Sequence, residues 1–159
     1  CYGATMALTA ETLARIGGFR TLLPVLADDH ALGAAVRRLG LRVEVSPVIP
    51  AHVMTEPSLA ALWAHELRWA RTLRLLAPGG YAGLAVTHPL PWALVALALA
   101  PGAWTLGLLA LVLAARLALA TGVDGALGVA RMQRLAWLPI RDLLSWAIWA
   151  TGALPGGVS

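Results

Sequence analysis

Ala103-Trp-Thr-Leu-Gly-Leu-Leu-Ala-Leu-Val-Leu-Ala-Ala-Arg-Leu-Ala-Leu-Ala-Thr121 follows a second apolar run, Tyr81 to Ala100, with only Pro101-Gly102 between them. Each run is about 20 residues, long enough as a helix to cross a hydrocarbon core of about 30 Å. His88, Pro89 and Pro91 interrupt the start of the first run, so its apolar stretch is expected to begin near Pro91. A third stretch, 135–154, carries Arg141 and Asp142, adjacent charges of opposite sign that can lower each other's burial cost. It reads as a third crossing or as a re-entrant or interfacial segment. Residues 79–159 are therefore expected to form a helical transmembrane region of two to three spans, at about 81–100, 103–121 and 135–154.

Composition agrees. The 159 residues are 59% hydrophobic with a mean hydropathy of +0.75, well above the roughly 45–50% apolar content of soluble domains. Charge is uneven: eight of the twelve basic residues and six of the eight acidic ones precede Pro78. All the basic residues are arginine, and with abundant Ala and Leu this suggests a GC-rich bacterial source. A net charge of +4 would suit nucleic acid, but the arginines are interleaved with apolar residues beside the spans, where they meet anionic headgroups. Nucleic acid is not expected as a partner. Eight arginines before the first span, with Arg131 and Arg134 after the second, orient 1–78 and the 122–134 loop to the cytoplasm by the positive-inside rule. The single cysteine, Cys1, excludes an intramolecular disulfide and any multi-cysteine metal cluster. Lacking an initiator Met and a signal-peptide pattern, the chain reads as an internal fragment, inactive by itself.

The polar half mixes two periodicities. Tyr2 to Leu8 suits a buried strand, and Leu41-Arg-Val-Glu-Val45 alternates apolar and charged residues as a half-buried strand does. Between them, Thr9 caps a short helix to Ile16, Gly17-Gly18 turns the chain, and Asp28-Asp29 open a helix to about Leu39 that Gly40 ends. Thr55-Glu-Pro57 opens a longer helix over 56–77, with threonine as cap and proline in the first turn. Its Leu59, Leu62, Trp63, Leu67, Ala70 and Leu73 share one side, and His65, Arg68, Trp69 and Thr72 an adjoining flank. This is the pattern of a helix lying on a membrane face with one edge turned to a site; Glu66 falls in the apolar sector without explanation. The first half is thus expected to be α/β.

Several residues could carry chemistry. Asp28 and Asp29 can simply cap their helix; a carboxylate there can also act as general base. Arg68 can bridge two phosphate oxygens with its planar guanidinium, or snorkel at an interface, the reading favoured for Arg71 and Arg74. Trp69 can stack beneath a sugar or acceptor, although interfacial tryptophans are common. No P-loop, GxGxxG, HExxH or GxSxG pattern occurs.

Gly3-Ala-Thr-Met6, Ile16-Gly-Gly-Phe19, Leu26-Ala-Asp-Asp-His-Ala-Leu-Gly33 and His65-Glu-Leu-Arg-Trp69 resemble, in that order, blocks of the ceramide glucosyltransferase family, the last being its (Q/R)xxRW signature. Nearly the whole chain is covered. The longer segments His65-Glu-Leu-Arg-Trp-Ala-Arg-Thr72 and Thr87-His-Pro-Leu-Pro-Trp92 most resemble bacterial relatives associated with hopanoid biosynthesis. The resemblance implies the C-terminal part of a GT-A-type catalytic domain in 1–78, and an inverting, membrane-integrated glycosyltransferase of the bacterial inner membrane. It implies Asp29 as catalytic base, Asp28 beside it in support, and Arg68 holding the leaving diphosphate. His65, Trp69 and His30 fall at substrate-binding positions. His65 departs from the usual glutamine or arginine, which puts its contact to phosphate or acceptor in question. Arg141-Asp142 also resembles a family feature, as a structural ion pair between helices or a headgroup contact. The implied partners are a UDP-sugar donor, a membrane-lipid acceptor and the bilayer: N-acetylglucosamine to a hopanoid first, ceramide or another lipid with glucose as the alternative. A divalent metal, Mg or Mn, is implied through a DxD motif that this sequence does not contain. A non-catalytic membrane scaffold or transporter segment is the reading from another class.

Overall fold

A computed structural model places residues 5–25, 27–48, 55–128 and 135–156. The chain divides into two compact units, Cys1–Glu56 and Pro57–Ser159. Among the described residues, both are built from helices and 3-10 turns, without a strand.

In the first unit, α1 (Ala10–Arg15) starts where the Thr9 hydroxyl accepts the Thr12 N–H at 3.2 Å. This is the expected cap. Gly17 and Gly18, at φ 92° and 77°, adopt left-handed backbone that a Cβ would strain, and turn the chain into a 3-10 turn at Phe19–Thr21. α2 (Asp28–Arg38) holds Asp28 and Asp29 in its first turn and Arg37 and Arg38 in its last, so both ends complement the helix dipole. These two helices match the sequence expectation.

The α/β expectation fails. Residues 5–8 and 41–45 are irregular and largely exposed, and no ladder joins either to another strand among the described residues. Residues 2–4 of the first expected strand lie outside the described set. Alternation makes a segment compatible with a sheet, but a strand exists only if a neighbour takes its backbone N–H and C=O groups. With none alongside, Leu41 and Val45 stay exposed and Arg42 pairs with Glu44 two residues on, at 3.2 Å, in solvent. The GT-A α/β assignment of 1–78 is thereby corrected.

The second unit opens with α3 (Leu59–Leu76). Its cap is Ser58, whose hydroxyl accepts the Ala61 N–H at 3.2 Å, so the helix starts later than the expected 56 and leaves Thr55 and Pro57 outside. Glu66 is exposed, not set in a buried apolar sector. After α4 (Pro78–Gly83) and a 3-10 turn at Leu84–Thr87 comes α5 (Pro89–Leu99), bent by 62° from the preceding helical segment. Pro89 causes the break: it offers no amide to the carbonyl of Ala85, four residues back. That carbonyl instead accepts the Trp92 indole N–H at 2.8 Å and the His88 N–H at 3.4 Å. α6 (Ala103–Leu127) follows the Pro101-Gly102 corner, which is closed by Thr105. This threonine is fully buried; its hydroxyl donates to Ala100 O at 2.9 Å and accepts the Gly102 N–H at 3.1 Å. A 3-10 turn at Leu135–Trp137 leads into α7 (Leu138–Ala153).

This geometry also corrects the span count. Among the described residues, α6 alone is a single helix long and apolar enough to cross a membrane; the bent segment Pro78–Leu99 would be a second only if taken as one broken span. α5 has 11 residues and α7 has 16, about 17 and 24 Å at 1.5 Å per residue, short of a core of about 30 Å. Pro89 and Pro139 stand in the first turns of these helices and set where they begin, which shortens the expected spans at 81–100 and 135–154. Arg131 and Arg134, used to orient the connecting loop, lie outside the described residues.

α7 packs on α3 around a core of Ala70, Tyr81 and Ile148, flanked by Trp63, Leu144 and Trp149. Tyr81 and Trp149 lock reciprocally: the phenol donates to Trp149 O at 2.6 Å and the indole donates to Tyr81 O at 3.0 Å. One turn beyond Ala70, the Arg74 guanidinium donates to Ala153 O at 2.8 Å and Leu154 O at 2.7 Å. It thus satisfies carbonyls that the end of α7 leaves without helical partners. Arg74 is therefore a helix cap, not the snorkelling arginine expected.

Across α7's other side, Asp142 accepts a two-pronged bond from Arg116 of α6, Nε to Oδ2 at 2.6 Å and Nη2 to Oδ1 at 2.5 Å. The interhelical ion pair joins Asp142 to Arg116, whereas the sequence pointed to Arg141 and Asp142. Neighbours in sequence point about 100° apart on a helix, whereas a side chain on a facing helix can meet the carboxylate squarely. The two side chains are only 22% and 11% exposed.

Two stability outcomes follow from this packing. A Cβ at Gly152 would stand 3.0 Å from the Ala70 Cβ and collide with the Tyr81 hydroxyl. Gly152→Ala should therefore lower the thermal midpoint, by about 1–3 kcal/mol of overpacking, despite the roughly 1 kcal/mol that alanine ordinarily gains in a helix; an unchanged or higher midpoint would contradict the close approach. Arg116→Met alone should cost about 3–5 kcal/mol by stranding Asp142, and R116M/D142L much less. Thermal unfolding of both in detergent measures the difference.

Candidate functional site

Asp28, Asp29 and His30 occupy the first turn of α2. The Asp29 N–H donates to Asp28 Oδ1 at 2.9 Å, and the His30 N–H donates to Asp29 Oδ1 at 2.7 Å. Each carboxylate thus uses one oxygen on a backbone N–H in the first turn of the helix. Asp29 is half-buried, while Asp28 and His30 are exposed.

Beside this turn lies an open hollow of about 400 Å³. Met6, Phe19, Leu22, Leu23 and Leu32 make its apolar wall and Asp28 stands at its edge. The Gly17-Gly18 turn sets up the wall by bringing Phe19 round, and the Thr21 hydroxyl braces it by donating to Gly18 O at 2.8 Å. An apolar hollow with a carboxylate on its rim can take an amphiphile by its greasy part and meet a hydroxyl at the edge. Sequence reading named the doublet but not the hollow, whose wall residues are dispersed over 6–32.

His65, Arg68 and Trp69 share one flank of α3, as their spacing predicts. The Trp69 indole N–H donates to His65 Nε2 at 2.8 Å, with the rings tilted and their centroids 6.5 Å apart. His65 therefore orients the indole, where sequence reading considered a contact to phosphate or acceptor. Trp69 remains 47% exposed, and Arg68 is exposed beside it. Its backbone carbonyl accepts the Thr72 hydroxyl at 2.9 Å. The structure gathers the expected site residues as two local groups, 28–30 in the first unit and 65–69 in the second.

Among the described residues no three His, Cys, Asp or Glu side chains come together to hold a metal ion. The divalent ion implied by the resemblance belongs to a DxD motif, which this sequence does not contain.

Sequence reading passed over Arg116 altogether. It is the one charged residue in the 103–121 run, and a solitary arginine in an apolar helix demands a partner of opposite sign. Asp142, in the next apolar stretch, was the available one.

Comparison with curated proteins and with solved structures finds no match. A profile of glycosyl transferase family 21 matches residues 1–158. That match spans both local groups and the apolar helices, and with the acidic doublet, the His65 to Trp69 motif and the apolar α6 in place, the chain belongs to glycosyl transferase family 21, the ceramide glucosyltransferase-like family of enzymes that join a sugar donor to a lipid acceptor.

Proposed function

We propose that the protein is an inverting glycosyltransferase that moves a sugar from a UDP-sugar to the hydroxyl of a membrane lipid, most specifically N-acetylglucosamine to a hopanoid. The observation that carries this reading is the carboxylate doublet at the head of α2 beside an apolar hollow. A lipid's apolar end suits the wall, where Asp28 alone of the doublet lines the hollow, with Asp29 next to it in the chain.

In the proposed step the acceptor oxygen attacks the anomeric carbon as Asp29 takes its proton. The bond from that carbon to the diphosphate oxygen breaks, and UDP leaves with the electron pair. Attack opposite the leaving group inverts the anomeric centre. Asp29 suits the role because the His30 N–H holds one of its oxygens and leaves the other for the acceptor proton. Asp28 supports it through the Asp29 N–H. Arg68 supplies a fork for the charge that grows on the diphosphate. Trp69, held by His65, offers a flat surface to the sugar or acceptor.

The membrane setting is supported by α6. Only 6% of its most apolar window is buried within the structure, and Trp104, Leu106, Leu111 and Leu119 are among its exposed residues. So large an apolar surface requires covering, and lipid can provide it. We place the protein in the bacterial inner membrane, with the catalytic residues on the cytoplasmic side. The hopanoid preference rests on the segments 65–72 and 87–92.

Transfer of labelled N-acetylglucosamine to a hopanoid by the full-length protein in vesicles tests the reading directly; consumption of no UDP-sugar would refute it, and glucose transfer to ceramide would redirect it. Asp29→Asn should cut kcat by about 100- to 10,000-fold with insertion unchanged, and retained turnover would remove Asp29 as base. Arg68→Lys should slow transfer about tenfold or more, because a point charge cannot copy the planar fork; unchanged kinetics would remove its diphosphate role. His65→Gln, which keeps an acceptor for the Trp69 indole, should preserve more activity than His65→Ala.

A further inference from the structure

Beyond the transfer reaction, the second unit contains a small cavity of about 150 Å³ between α5, α6 and α7. Leu90, Leu113, Leu117 and Leu138 line it, and the Arg116–Asp142 pair forms its polar wall. We propose that this cavity binds the hydroxyl-bearing end of a neutral membrane lipid.

Charge decides the class of ligand. Arg116 commits Nε and one Nη2 hydrogen to Asp142, leaving further N–H donors on the guanidinium and further lone pairs on the carboxylate. A hydroxyl both donates and accepts, so it matches both partners at once. The pair is formally neutral, and a neutral guest leaves that balance undisturbed. A phosphate would place its charge against the Asp142 carboxylate in apolar surroundings, where repulsion is poorly screened.

Size and wall agree with this choice. The partly open cavity of about 150 Å³ is of the size that takes a benzene-sized group, enough for a lipid's hydroxylated end and too little for its chains. Leu113 and Leu117 line the cavity and also stay partly exposed on α6, at 39% and 44%. They provide an apolar track along which a tail can leave toward the bilayer.

The test uses the full-length protein in detergent and two probes with the same short fluorescent tails, a diacylglycerol and the corresponding phosphatidic acid. They differ in whether the head is a neutral hydroxyl or a phosphate. Diacylglycerol should bind, and phosphatidic acid should bind at least tenfold more weakly. Leu117→Trp, which fills the cavity and leaves the ion pair intact, should weaken diacylglycerol binding tenfold or more, as should R116M/D142L. Equal binding of the two probes, or diacylglycerol binding unchanged in Leu117→Trp, would overturn the proposal. If the double variant does not fold, Leu117→Trp decides alone.

Discussion

An arginine set in the run that makes α6 apolar cannot be left alone. Removing a guanidinium from water costs several kcal/mol, and attraction to a carboxylate offsets this only with good geometry. Arg116 and Asp142 meet that condition with two short parallel bonds. The pair fixes which face of α6 turns toward α7. Leu90, at the start of α5, lines the cavity beside the pair. Removing only one member would strand the other, so the pair acts as a register device for the apolar helices.

The seam between α3 and α7 adds a second constraint. Tyr81 and Trp149 each donate to the other's backbone carbonyl, and Gly152 allows Ala70 and Tyr81 to approach. Arg74 then satisfies the end of α7. The helix bearing His65, Arg68 and Trp69 is thereby docked along the face that carries Trp63, Ala70 and Arg74. Its flank with Arg68 and Trp69 stays exposed. Packing on one side and availability on the other are what a recognition helix requires, since its side chains must be held without being consumed by the fold.

Family membership and geometry bear on different questions. The profile match across residues 1–158 identifies a glycosyltransferase. The geometry contributes what a profile does not contain: an apolar hollow beside Asp28, an indole oriented by histidine, and a buried ion pair beside unfilled space. Each gives chemical content to a sequence motif or reveals a position that no motif marked.

Local rules made much of this protein legible in its sequence. Thr9 as a cap, the acidic start of α2, its end near Gly40, and the shared flank of His65, Arg68 and Trp69 follow from interactions within a few residues. The apolar character of α6 is equally local, being composition read over one helix. What sequence could not decide depends on partners distant along the chain. Leu41 to Val45 alternates like a strand but has none beside it among the described residues, and Asp142 takes a two-pronged bond from an arginine 26 residues away. Pro89 was visible, yet whether it would bend or merely delay a span depended on how the freed Ala85 carbonyl was satisfied, and Trp92 does this. Sequence thus determined the helices whose hydrogen bonds and caps are short-range; the absence of a sheet among the described residues, the pairing of buried charges and the hollow at the acidic doublet were tertiary decisions, because each requires groups that only folding brings within bonding distance.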